Sequence, residues 1–86
     1  MRTRFMPHPL VSRILKTKSA ELRRAKCYST WYYDEGTDTI TICTTRPGLW
    51  IGRCGEDVKK ISDTINNALE SHGLHHVTLS FIECES

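Results

Sequence analysis

The chain has no long apolar run. Its hydrophobic stretches extend over only a few positions, far short of the roughly 20 residues a membrane helix needs. Met1 to Leu10 carries two arginines but no apolar segment behind them, so a secretory signal is not expected. There is no C-x-x-C pair: Cys27, Cys43, Cys54 and Cys84 stand 16, 11 and 30 positions apart. Without a secretory segment, free thiols are the expectation rather than a disulfide framework. The compartment expected is therefore reducing, the cytoplasm or an organellar matrix. No G-x-x-x-x-G-K-S/T phosphate loop is present, which removes the commonest nucleotide-hydrolysis signature. Internal repeats and low-complexity segments are also lacking.

What is present fits one small domain of 86 residues, 38% hydrophobic and 26% charged, ordinary values for a globule with a modest core. The net charge of +2 hides a marked asymmetry. Residues 1–26 hold eight basic residues against Glu21 alone, a net of +7, whereas residues 27–86 carry a net of −5. Such a split suits a basic face or arm directed at an anionic partner; a solvated helix surface is the plainer reading.

Hydrophobic periodicity orders the chain. Residues 1–9, with Pro7 and Pro9, are expected to form a flexible basic arm, and residues 10–86 the domain. From Pro9, the stripe Leu10, Val11, Ile14, Leu15, Leu22 and Ala25 predicts a helix. Lys18 interrupts that stripe and Ser19 follows it, which allows a kink or break there. Cys27 to Tyr33 is aromatic and β-favouring, and predicts a strand. Asp34-Glu35-Gly36-Thr37 is turn chemistry. Asp38 to Thr45 predicts a second strand with Ile40 and Ile42 inward, and the short link makes the two a hairpin. Glu56 to about Ser71 predicts a helix whose inner stripe is Val58, Ile61, Ile65, Ala68 and Leu69, with Lys59, Lys60, Asp63, Asn66 and Asn67 facing out. Gly73 suits its left-handed cap. His76 to Glu83 alternates Val77, Leu79 and Phe81 with Thr78, Ser80 and Ile82 and predicts a third strand, parallel to the second across the intervening helices. The expected class is α+β, in the order α-β-β-α-α-β, with a three-stranded mixed sheet covered by helices on one face.

The chain is organised around Arg46 to Lys60, R-P-G-L-W-I-G-R-C-G-E-D-V-K-K. Pro47 fits the first turn of a helix, where its missing N–H costs nothing, and Gly52 ends that helix within one or two turns. Gly52 and Gly55 permit positive φ and close approach by another backbone. Glu56 and Asp57 suit the positive end of the next helix. Arg53, between the glycines, offers a forked cation to a phosphate.

A bare G-x-x-G arises often by chance; the full string is more specific. It resembles the signature of the type II KH domain, and within that group the N-terminal KH domain of the small-subunit ribosomal protein S-three family. The match lies at Arg46, Pro47, Gly48, Ile51, Gly52, Gly55, Glu56, Asp57, Val58 and Ile61. Trp50 replaces the usual small aliphatic residue, and Cys54 replaces a second cation. Residues 10–84 follow the family's order of elements. The resemblance implies a type II KH fold and a loop that clamps about four nucleotides of single-stranded RNA. It implies contacts from Arg46, Gly48, Ile51, Gly52, Arg53, Cys54, Gly55 and Lys59, over an apolar groove floored by Gly48, Leu49, Val58, Ile61 and Ile40 or Ile42. Arg46 has an equally ordinary use, a surface salt bridge at the hairpin.

Other chemistry is less well supported by spacing. His72, His75, His76 and Cys84 are metal-ligand types, but H-x-x-H with a distant cysteine is unspecific, and no metal or other cofactor is expected. Cys54 at a helix N-terminus invites a reactive thiol, yet no histidine is positioned as its base, and no enzyme is expected. Trp50, preceding the apolar Ile51, suits the core or a protein contact more than stacking on a base, and Trp31, Tyr32 and Tyr33 suit a core more than a stacking platform. The leading expectation is a non-catalytic, ribosomal-protein-like RNA-binding module with single-stranded RNA or ribosomal RNA as partner. The alternative is a protein-interaction module, a scaffold or inhibitor of a larger complex. It would dock through the basic first helix or an exposed Trp50, with no membrane contact.

Overall fold

The computed structural model describes residues 2–3 and 6–85, with side chains from Met6 onward. Its elements are β1 (Arg2–Thr3), α1 (Pro9–Arg23), β2 (Ser29–Asp34), β3 (Thr39–Thr44), α2 (Pro47–Ile51), α3 (Glu56–Ser71) and β4 (Thr78–Glu83), with a 3-10 turn at Arg53–Gly55 between α2 and α3. The sheet order is β1-β2-β3-β4; β2 and β3 form the antiparallel hairpin, and β4 joins β3 in parallel. The mixed three-stranded sheet and the α-β-β-α-α-β order are thus present. The two-residue β1 is added at the edge, Arg2 opposite Asp34 and Thr3 opposite Tyr33. Within the expected arm, Met6 packs against the core and His8 caps α1. Residues 1, 4 and 5 of that arm, and Ser86, lie outside the described residues.

Register sorts the sheet into two faces. Trp31, Tyr33, Ile40, Ile42, Leu79 and Phe81 point one way, toward α1 and α3. Thr30, Tyr32, Thr41, Cys43, Ser80 and Ile82 point the other way and carry no helix. Ile40 and Ile42 are fully buried, as are Val11 and Leu15 of α1 and Ile65 and Leu69 of α3.

α1 starts on Pro9, and the Nδ1 of His8 accepts the Leu10 backbone N–H at 3.1 Å, standing in for the usual hydroxyl or carboxylate cap. The helix is continuous through Lys18 and Ser19, with no break. Ser19 is only 4% exposed, small enough to pack inward. The Lys18 ammonium reaches Glu21 at 3.9 Å and Asp57 at 4.0 Å, so its stem lies along the stripe while its charge is met at the rim. Ala25 falls outside the helix and is exposed, because the chain turns after Arg23.

α3 has the bounds its periodicity predicts, and Gly73 (φ 69) closes it, with Leu74 N–H donating to the Leu69 carbonyl at 2.9 Å. Asn66 does not face freely out. Its amide donates to the Val77 carbonyl at 3.1 Å and accepts the Val77 N–H at 2.7 Å. The side chain thereby acts as a one-residue strand partner at the entry to β4. Among the described residues no helix is long and apolar enough to cross a membrane.

Candidate nucleic-acid interface

The candidate site is the junction from Arg46 to Lys59. α2 begins at Pro47 and is closed by the Gly52 N–H, which donates to the Gly48 carbonyl at 2.9 Å. Gly52 then takes φ 78, ψ 177, a conformation open essentially to glycine alone. The 3-10 turn follows, with Gly55 N–H donating to the Gly52 carbonyl at 3.2 Å. Cys54 (φ 56) and Gly55 (φ 73) are both left-handed, and Gly55 leads straight into α3.

The two glycines are not equivalent. A Cβ on Gly52 would sit 2.6 Å from the Cβ, Cγ and Oδ2 of Asp57, whereas one on Gly55 would meet only Val58 Cγ1, at 4.0 Å. Gly52 is therefore required by close packing as well as by φ. Asp57 lies under the loop and is tied to Lys18 of α1. That link between α1 and the loop was not visible in the sequence, where Lys18 only disturbed an apolar stripe.

Around this frame the expected contact residues separate by exposure. Arg46, Gly48, Arg53, Cys54 and Lys59 are exposed; Ile51, Gly52 and Gly55 are half-buried. Arg46 stands at the start of α2 and makes no side-chain cap bond. Arg46, Arg53 and Lys59 have no carboxylate within ion-pairing distance among the described residues. The surface salt bridge considered for Arg46 is thus not formed among them. Glu56 and Asp57 occupy the first turn of α3, favourable to the helix and unfavourable to an approaching phosphate.

The apolar floor differs from expectation. Ile40 and Ile42 have no exposed surface and Ile61 is 9% exposed, so the two strand residues are closed off. The cover includes Trp50. It is fully buried, its indole N–H donates to Ser29 Oγ at 2.8 Å, and its ring lies edge-on to Trp31 and beside Phe81, at centroid distances of 6.4 and 6.2 Å. Trp50 therefore presents nothing to a partner, and docking through it is excluded. Beside the loop, Leu49 and Val58 remain half-buried and Gly48 exposed.

The remaining sequence candidates lie elsewhere. Trp31 and Tyr33 are on the helix-covered face and Tyr32 on the bare one. The Tyr33 hydroxyl donates to Asp38 Oδ1 at 2.6 Å, and this bond, with burial, pushes its pKa up to about 12. His72 stacks on His8 with centroids 4.1 Å apart, and His76 Nε2 lies 3.1 Å from Glu70. Cys84 lies beside Cys43 on the bare face, both as free thiols, and burial and the hydrogen bond with Cys43 raise its thiol pKa, the reverse of nucleophile activation. Among the described residues no three His, Cys, Asp or Glu gather to hold a metal.

Two concavities are lined by residues outside the loop. A groove of about 330 Å³ between α1 and α3 has Ile14 and Ile61 in it and Arg13 and Lys60 alongside. Another, of about 450 Å³, is bounded by Tyr28, Thr30, Cys43 and Cys84. No family model, curated protein or solved structure matches this chain.

Proposed function

We propose that this chain is a non-catalytic KH-type module, similar to the ribosomal S-three domain, that holds a short single-stranded RNA by its backbone. The observation that carries the reading is the loop. Gly52, Cys54 and Gly55 all adopt positive φ, and Arg53 is exposed between them with no ion-pair partner among the described residues. A turn that only joined two packed helices needs neither an unpaired guanidinium at its tip nor left-handed backbone at Cys54. In this reading Arg53 and the loop amides meet a phosphate, Arg46 and Lys59 flank it, and bases lie toward Gly48, Leu49 and Val58. One loop cation, where the family commonly has two, makes the grip on one strand salt-sensitive and modest.

The test is anisotropy titration of labelled single-stranded RNA against wild type and Arg53→Glu. Arg53 is exposed, so the fold should survive, as a thermal melt would verify. The charge reversal should weaken binding by about tenfold or more, the scale of a lost charge-assisted hydrogen bond. Unchanged affinity would remove the loop from the site.

A second reading has its own observation, the α1/α3 groove with apolar Ile14 and Ile61 beside basic Arg13 and Lys60. It suits an acidic amphipathic segment of a partner protein. Binding of such a peptide, lost in Arg13→Glu/Lys60→Glu but kept in Arg53→Glu, would support that reading against the first.

A further inference from the structure

We infer that the C-terminal corner of α1, formed by Arg23, Arg24 and Lys26 next to Arg46, is a second backbone-contact surface that lengthens the RNA footprint beyond the G-x-x-G loop. This rests on the RNA reading of that loop. The corner and the loop belong to one end of the molecule. α1 and α3 run antiparallel, since His8 meets His72 at one end and Lys18 meets Asp57 at the other. The last turn of α1 is thereby carried toward the loop side. The chain then passes through Cys27, whose thiol lies 3.6 Å from the Arg46 carbonyl and 3.2 Å from Thr44 Oγ1. The end of α1 is thus stitched to the start of α2, and α2 rises only about 7 Å along its axis before the loop begins.

Arg23, Arg24, Lys26 and Arg46 are all exposed. None has a carboxylate within ion-pairing distance among the described residues, while Glu21 is engaged with Lys18. Glu85, exposed, lines the neighbouring concavity together with Tyr28, Thr45, Cys43 and Cys84 and forms no ion pair with any of the four cations among the described residues. Three free cations, Arg23, Arg24 and Lys26, are therefore carried to the end of the molecule where Arg46 already flanks the loop.

Lys26 provides the second observation. It sits just past α1 at φ 59, with its N–H donating to the Arg23 carbonyl at 2.9 Å and the Cys27 N–H donating to the Leu22 carbonyl at 3.1 Å. This is the left-handed helix-closing position at which glycine is strongly preferred. Favourable interaction of cations with the helix dipole accounts for Arg23 and Arg24. It does not account for a lysine where a glycine would relieve backbone strain, and such strain is a pointer to use.

The experiment compares single-stranded RNAs of four and about ten nucleotides, since the loop alone covers about four. The proteins are wild type, Lys26→Gly, Lys26→Arg, Arg23→Gln/Arg24→Gln/Lys26→Gly and Arg53→Glu, each titrated at several salt concentrations and melted. Lys26→Gly should raise Tm by a few degrees yet weaken the longer RNA. The dependence of log K on log salt should flatten by about 0.7 for each phosphate that is no longer neutralised. The triple variant should weaken the longer RNA further while leaving the four-nucleotide strand bound as before, and Lys26→Arg should keep full affinity. An unchanged long strand in the triple variant, or equal weakening on both lengths, overturns the second surface while the loop reading stands. Wild-type protein that binds neither strand overturns both. Arg53→Glu that leaves both lengths bound overturns the loop reading and, with it, a surface defined as its extension.

Discussion

The contrast between Gly52 and Gly55 gives the sharpest prediction about the junction. Gly52→Ala forces an L-residue into φ 78, ψ 177 and places its Cβ 2.6 Å from three atoms of Asp57. Backbone strain in that region costs about 1–3 kcal/mol. Relieving the overlap moves Asp57, whose carboxylate is held by Lys18 at 4.0 Å. A total of about 3 kcal/mol follows, or a fall in Tm of about 12–24 °C for a domain of this size. Gly55→Ala meets nothing closer than 4.0 Å at φ 73 and should cost about 1 kcal/mol, roughly 4–8 °C. Thermal melts and urea titrations of both variants measure the difference directly. Adding Asp57→Gly to Gly52→Ala removes the overlap but not the strain, so the double-mutant cycle should show a coupling of about 1–2 kcal/mol. Equal costs at the two glycines, or no coupling, would refute the claim that Asp57 fixes the loop from beneath.

Three other outcomes follow from the same structure. The phenol of Tyr33, with its pKa pushed from 10.0 to about 12 by Asp38 and burial, stabilises the fold fully below pH 10 and loses that contribution as pH rises through 12. The stability gap between wild type and Tyr33→Phe should therefore be about 1–2 kcal/mol at neutral pH and close in strong alkali, followed by urea unfolding across pH; a pH-independent gap contradicts it. Asn66→Ala should cost about 2 kcal/mol, because both amide bonds to Val77 are lost. It should also speed hydrogen exchange at the Val77 amide, and unaltered exchange there would count against the clasp. Trp50→Phe should cost about 2 kcal/mol through lost volume and the lost indole bond to Ser29, whose hydroxyl keeps only Thr44, whereas a surface tryptophan would be replaced at almost no cost.

The parts of the fold read correctly from sequence are those in which periodicity and turn chemistry agree. The span of α3, its left-handed Gly73 and the burial of Ile40 and Ile42 were all legible for that reason. What escaped is polar and long-range. Lys18 and Asp57 are 39 positions apart, and nothing local shows that one compensates the other. Asn66 stands on the outer side of a helical wheel, yet its amide reaches a strand end 11 residues on. Lys18 interrupts a stripe and Ser19 follows it, yet Ser19 is small enough to pack inward, so α1 runs through both. At the site, φ at the two glycines was readable, but the atoms beneath Gly52 were not. A packed Trp50 was the favoured expectation because it precedes the apolar Ile51, but its bond to Ser29 and the closed floor were not legible.

The most direct test of the central claim is a two-dimensional amide NMR titration of the wild-type protein with a short single-stranded RNA. Shifts should concentrate from Arg46 to Lys60, with Arg53 and Gly55 among the largest and the bare sheet face near Tyr32 and Ile82 unmoved. Shifts confined to the α1/α3 groove around Ile14 and Ile61, or no shifts at all, would contradict it.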